Sequence, residues 1–348
     1  MENQIKKPRL LVLHPKDWAT SEHGKKSPFE IRHVSIGGEV PRKLNGTVTY
    51  DGYAEAISED GVQNLYEVVE NFKPHFFLFW LHAGFYPTHL ERIKELSPHT
   101  RFLFWFGNHR TNLSGHVTRT GRYLSALFLN SKEPSQFNLY SQYGIAKIGT
   151  LYDGFNPDSV KLIEEPTECD CFFAGESYEA AEKDNQVFHF PGTRLRRDFI
   201  LAVHRRFNLR VHAARKDSWP FLTYPEVYHP AHTHAMRKAK ITLNVNHFPT
   251  FKQAYTRRTI RSLFARRCHI TYYIPGMEED FENHKHLVWF HSVEDGLAQI
   301  AYYLKNSVEA EKIAQAGWEL ACERYTFNNR LDDFGKDLRK FFPEVFKK

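Results

Sequence analysis

The chain has 348 residues, 41% hydrophobic and 25% charged, with a formal net charge of +6 and 20 further histidines. At about 150 residues per domain this is room for two water-soluble domains with sizeable cores, and an aromatic content of 15% excludes a disordered chain. No apolar run reaches the ~18 residues of a membrane helix, Leu10–Leu13 is too short for a signal-peptide core, and the modest positive excess favours an acidic partner.

Ten short apolar runs read as buried strands: Leu10–His14, His75–His82, Arg101–Phe106, Leu124–Asn130, Ala146–Tyr152, Cys169–Ala174, Leu209–Ala213, Lys240–Asn246, Cys268–Ile274 and His286–Phe290. Several are continuously apolar, the pattern of a parallel sheet covered on both faces. Helical patterns lie between them, such as Leu195, Phe199, Ile200, Val203 and Phe207, and Leu297, Ile300, Ala301 and Leu304. This alternation predicts doubly wound α/β domains. The turn-rich stretch 153–158 and the acidic stretch 164–168 mark a boundary within 153–168. The predicted division is a first Rossmann-like domain over 1–155, a linker over 156–168 and a second over 169–330. Leu331, Phe334, Leu338 and Phe341 then form an amphipathic closing helix within 331–348.

No Gly-x-Gly-x-x-Gly follows Leu10–His14 or Cys169–Ala174, and there is no phosphate-loop Gly-Lys-Ser/Thr. A dinucleotide oxidoreductase and a P-loop NTPase are thereby disfavoured. Cys169, Cys171, Cys268 and Cys322 are too few for a disulfide framework and are expected as buried thiols in a reduced, cytoplasmic setting. His229, His232 and His234 are spaced i, i+3, i+5, which does not bring three imidazoles onto one helix face, and no metal is expected there.

The second half carries an ordered series of segments: Cys171–Gly175, the helix at Arg194–Phe207, Lys238–Asn246, Arg257–Thr271, Gly276–Phe281, Val293–Leu297, Ile300–Leu304, Ile313–Gly317 and Tyr325–Arg330. Their order and spacing over about 168–332 resemble the C-terminal, donor-binding domain of bacterial GT-B glycosyltransferases of the spore-maturation-protein-like group, with its glycosyltransferase family 1-type domain. The resemblance implies a GT-B-like fold, two Rossmann-like domains facing across a cleft. It implies a nucleotide-sugar co-substrate of the UDP-sugar type, with no other cofactor. In the family pattern the helix after the Asn-bearing strand runs Arg-x-Phe-Glu-Ala-x-x-x-Gly, and its Glu holds the ribose hydroxyls. Arg261 stands at the Glu position here and Arg266 at the Gly, and arginine cannot accept a hydrogen bond from a hydroxyl.

At ~100° per residue, Arg257, Arg258 and Arg261 share one arc beside Ile260, Leu263 and Phe264. Guanidinium forks suit phosphate oxygens, so these three, with Arg215 and Lys216 past the strand Leu209–Ala213, are the expected donor-phosphate ligands. Asn246 and Tyr255 are candidates for sugar or base contact. On the first domain, the loop 107–122 carries Arg110, Arg119 and Arg122 with no acidic residue and is expected to overhang the acceptor side. Such a loop suits a polyanion such as DNA, and Lys25, Lys26, Arg42, Lys43 and Arg194–Arg197 add positive charge. Transfer with inversion needs a base for the acceptor hydroxyl; the candidates are Asp17, His23, Asp51 and His109.

The expected acceptor is a hydroxymethylated pyrimidine in DNA, in the manner of phage enzymes that flip and glycosylate such bases. The expected setting is the cytoplasm of a bacterial or phage-infected cell. A surface glycan or protein acceptor is the alternative, and a non-catalytic nucleotide- or nucleic-acid-binding relative is a third reading.

Overall fold

The continuous apolar runs become strands buried on both faces, and their carboxyl ends supply the loops that matter for function. The computed structural model describes residues 7–13, 27–34, 58–79, 86–107, 109, 111–113, 115–157, 165–177, 180–183, 186–215, 217–227 and 230–347. The first half holds β1 (Arg9–Leu13), β2 (Glu30–Val34), α1 (Glu59–Phe72), β3 (Phe76–Phe79), α2 (Pro87–Leu96), β4 (Arg101–Phe106), α3 (Gly115–Thr120), β5 (Leu124–Leu129), α4 (Pro134–Gln142) and β6 (Ile148–Thr150). Its strands are parallel in the order β2-β1-β3-β4-β5-β6. Of Glu30–Val34 only Val34 is buried, so β2 lacks a continuous apolar run, and its place at the sheet edge explains why.

The second half holds β7 (Cys169–Ala174), an antiparallel hairpin of β8 (Ala180–Lys183) and β9 (Gln186–His189), α5 (Thr193–Arg206), β10 (Leu209–Ala213), β11 (Tyr224–Pro225), α6 (Ala231–Arg237) and β12 (Ala239–Asn244). It continues through α7 (Arg257–Phe264), β13 (Cys268–Tyr272), β14 (Val288–Phe290), α8 (Val293–Lys305), α9 (Ser307–Arg324), α10 (Phe327–Phe341) and α11 (Pro343–Phe346). The parallel order is β11-β10-β7-β12-β13-β14, which reverses direction beside β7. In such a sheet ligands bind outside the carboxyl ends of the strands, at that reversal.

The closing helix is longer than the periodicity indicates. It begins at Phe327, capped by the Thr326 hydroxyl accepting from Asn329 N. It packs against the first sheet: Phe327, Leu331, Phe334, Leu338 and Phe342 share a core with Leu10, Val12, Phe76, Leu103, Trp105 and Phe128. The Phe128 and Phe334 rings meet edge to face at 4.6 Å.

The chain leaves the first sheet through 151–157 and returns through 325–327, and the two crossings lie side by side. Phe155 N donates to Tyr325 O at 2.9 Å, and Phe327 N to Phe155 O at 3.2 Å. Between them a side chain at Gly154 would put its Cβ 2.7 Å from Phe327 Cα, so only glycine admits this approach.

Candidate donor site at the carboxyl edge of the second sheet

Three loops meet at the direction reversal. After β7, Gly175 adopts φ +148°, and a Cβ there would lie 2.7 Å from Arg258 Nη1. Arg258, in the first turn of α7, donates from Nη1 to Ala174 O at 2.9 Å, and its guanidinium lies 5.7 Å from the Phe173 ring centre. The next residue, Glu176, ties the loop after β7 to the loop after β10, its Oε1 accepting from Ala214 N (2.5 Å) and Arg215 N (3.2 Å). Trp219 Nε1 donates to Gly175 O at 2.9 Å from the same second loop. Arg215 is thus presented on a turn whose backbone is fixed by a carboxylate. Thr256 begins α7 without a side-chain cap, so the partial positive charge of its first turn adds to Arg258 and Arg215.

Beneath these loops lies Arg196, wholly buried in α5. Its Nε donates to Val245 O at 2.8 Å and its Nη1 to Glu176 O at 3.2 Å, with His247 Nε2 at 2.8 Å from Nη1. A guanidinium can only donate, so His247 Nε2 is the acceptor and its proton resides on Nδ1, directed to Thr193 Oγ1 at 3.0 Å. One buried cation therefore fixes the ends of β7 and β12 and the tautomer of the histidine between them.

The three α7 arginines do not act as one exposed face. Arg257 Nε pairs with Asp153 Oδ2 at 2.9 Å, tying the start of α7 to the crossing from the first sheet. Arg258 turns onto the end of β7, as above. Arg261, half-buried, makes no side-chain hydrogen bond or ion pair among the described residues. Arg266, at the family's Gly position, takes φ +54° directly after α7, the left-handed conformation that glycine adopts without cost.

Asn246 and Tyr255 are corrected from ligand candidates to internal braces. Asn246 is 2% exposed; it donates to Ala254 O at 2.6 Å and accepts from Asn244 Nδ2 at 2.9 Å. Tyr255 is 3% exposed, with its hydroxyl on Asp280 Oδ2 at 2.8 Å. Both hold the loop between β12 and α7. Lys216 lies outside the described residues.

On the facing side, the loops after β4 and β5 reach the loop after β12. His109 is buried, its ring centre 6.1 Å from that of Phe248 and 6.2 Å from that of Phe251. Lys132 N donates to Lys252 O at 3.0 Å, and Lys252 N to Glu133 Oε2 at 2.9 Å. Burial opposes ionisation of Glu133, but the N–H donors of Lys252 and Ser135, with His109 beside it, hold its carboxyl below the usual range. Asp17, His23 and Asp51 lie outside the described residues, as do Arg110, Lys25, Lys26, Arg42, Lys43 and His229.

Arg119 and Arg122 are not at this edge. Helix α3 carries the chain back along the sheet, and Leu124, at the start of β5, pairs in register with Phe102 near the start of β4. Arg122 therefore sits at the amino edge of the first sheet, where it faces Glu91 at 3.6 Å and lies over the Tyr123 ring. The expectation that both overhang the cleft fails because the helix reverses the chain within 115–123. His234 meets Glu165 Oε1 at 2.5 Å and His232 is buried against Phe172.

Sequence reasoning missed Glu176, His247, Asp153 and Glu133, and it counted Arg196 in the basic run Arg194–Arg197, from which its complete burial removes it. One signal was available: Arg196, Phe199, Ile200 and Val203 recur at i, i+3, i+4, i+7, which puts the arginine on the buried stripe.

Residues 194–335 match the family described as glycosyl transferase-like. No curated protein shows significant sequence similarity to the chain. Among solved structures, a glycosyltransferase from Rickettsia africae is 12% identical and aligns over 96% of this chain and 98% of its own, with a TM-score of 0.54. HepE from Anabaena, in complex with UDP-glucose, is 8% identical over 95% and 99% of the two chains, at 0.53. Sucrose-phosphate synthase from Thermosynechococcus elongatus is 8% identical over 97% and 100%, at 0.55. At such identities the likeness establishes the fold, which is GT-B. The family match, confined to residues 194–335, gives the second domain a glycosyl transferase-like signature.

Proposed function

We propose that the protein transfers a sugar from a nucleoside diphosphate donor, of the UDP type, to a hydroxyl acceptor carried on the first domain. The observation that supports this most is the Arg258 guanidinium fixed beside the side-chain-free Gly175 at the sheet's reversal, with Arg215 on the neighbouring loop. As the anomeric bond breaks, negative charge grows on the departing diphosphate, and preorganised guanidiniums stabilise it without reorganising. Arg261 lies one turn further along α7. Because it only donates, it would meet donor oxygens as acceptors and leave the ribose hydroxyls without a carboxylate from this position. His109, on the facing edge beside Glu133, is the described residue best placed to take the acceptor's proton.

With Arg119 and Arg122 at the amino edge of the first sheet, the basic loop no longer argues for DNA, and a glycan or protein hydroxyl becomes the plainer acceptor. Thermal-shift titration against UDP, GDP, ADP and dTDP and their sugars tests the donor; a ligand at ~100 times its Kd adds about 2.7 kcal/mol. A selective shift with one nucleotide, lost in Arg258→Ala, is expected. Turnover is then read as nucleotide release, with hydroxymethylated DNA and glycan acceptors as separate arms. No shift with any nucleotide refutes the donor reading; a shift without turnover on any acceptor favours a non-catalytic binder.

A further inference from the structure

On the outer side of the elements that carry the donor-site loops, one surface of the second domain combines positive charge with protruding apolar side chains. Along the outward face of α5, Arg194, Arg197, His204 and Arg205 are exposed, with Arg206 beside them and Asp198 as the single acid of that face. None of the four arginines makes an ion pair among the described residues. The segment Trp219–Pro225, which ends in the edge strand β11, lies against the end of this helix, its Phe221 ring stacked on His204 at 4.0 Å. Trp219 is buried and roots the loop in the core, whereas Pro220, Leu222, Tyr224 and Pro225 are exposed. Leu222 is 90% exposed and Tyr224 44%.

We propose that this face docks peripherally on an anionic lipid bilayer. Arginines attract acidic headgroups, each adding to the attraction at the surface, while Leu222 and Tyr224 enter the interfacial zone, where apolar and amphipathic side chains are both favoured. A nucleic acid would use the arginines but give Leu222 nothing to bury against. An acidic protein would need a shaped pocket for Leu222, whereas a bilayer needs none. Among the described residues no helix is long and apolar enough to cross a membrane, so the contact is a surface one. It brings the chain to a two-dimensional reservoir of hydroxyl-bearing acceptors without altering the donor site.

The test is co-sedimentation of the full chain with vesicles of phosphatidylcholine alone and of phosphatidylcholine with one-third phosphatidylglycerol, at low and physiological salt. Binding to the anionic vesicles is expected to be stronger by about tenfold or more. It should fall by a similar factor in Arg205→Glu/Arg206→Glu, and by about fivefold or more in Leu222→Asp. All three positions are exposed, and an unchanged melting temperature checks that the variants fold. Equal recovery with both vesicle types overturns the proposal. So does anionic binding that Leu222→Asp leaves intact, and a short DNA duplex that binds as tightly with the same indifference to Leu222 assigns the face to nucleic acid instead.

Discussion

Replacing Arg196 by methionine removes one buried cation and nothing exposed. Methionine fills much of the same volume, so the loss is of hydrogen bonds and charge and not of packing. Val245 O, Glu176 O and His247 Nε2 each lose this donor. A buried acceptor left unsatisfied costs about 1–3 kcal/mol, and the variant recovers part of that because it no longer buries a guanidinium. A net loss of about 2–4 kcal/mol is expected, equal to roughly 4–16 °C in Tm for a domain of 150–250 residues. The loop after β7 carries both Glu176 and the Gly175 against which Arg258 rests, so the nucleotide-induced thermal shift should shrink as well. Arg196→Lys, with one compact ammonium for three acceptors in different directions, should fall between the two. Differential scanning fluorimetry with and without nucleotide reads both effects. A methionine variant that melts within about 1 °C of the parent and keeps its full nucleotide shift would refute the clamp.

Gly175→Ala should weaken donor binding on the order of tenfold by calorimetry, because the new Cβ meets Arg258 Nη1 at 2.7 Å in a backbone conformation that itself costs about 1–3 kcal/mol; unchanged affinity would place the donor elsewhere. Phe334→Ala, at a fully buried ring against Phe128, should cost about 3–5 kcal/mol in urea unfolding, and a loss under 1 kcal/mol would mean that α10 is not integral to the first domain. Burial pushes the His269 imidazole down to about 3, below the ~6.5 of an unfolded chain, so the unfolded state takes up the proton first. Stability from this group is complete above about pH 6.5 and falls by about 1.4 kcal/mol per pH unit down to about 3. Urea melts at pH 7 and pH 5 should differ by about 2 kcal/mol more in the parent than in His269→Asn, and equal differences would show that His269 does not carry the effect.

Much of the fold was legible because a parallel sheet buried on both faces writes itself as unbroken apolar runs. Arg101–Phe106, Cys169–Ala174 and Leu209–Ala213 carry the expected bounds. Edge strands write no such signature: β2 is mostly polar and β11 has two residues, so both escaped. The site was legible in outline, since the arginine-rich helix follows from local pattern, whereas the strand order that sets the sheet's reversal rests on pairing between distant segments. Its wiring was not. Arg257 finds Asp153 104 residues away, and nothing local distinguishes it from Arg258, which turns the other way. Helical periodicity set three arginines on one arc, but the direction of each long side chain is decided by the partner that tertiary structure brings within reach. Arg119 and Arg122 failed for a related reason: a loop's sequence tells which strand it follows, and the short helix inside it decides which end of the sheet it reaches.

The packing of α10 on the first sheet also sets an order of events during synthesis. Asp337, which accepts from Thr150 N, emerges from the ribosome 187 residues after its partner. At 5–20 residues per second this is a delay of roughly 10–40 s, during which Leu10, Val12, Phe76 and Phe128 have no cover from Leu331, Phe334 and Leu338. The nascent first domain thus presents an uncovered apolar flank throughout translation of the second. Premature termination before codon 327 would yield a half-covered sheet prone to aggregate, not a folded first domain.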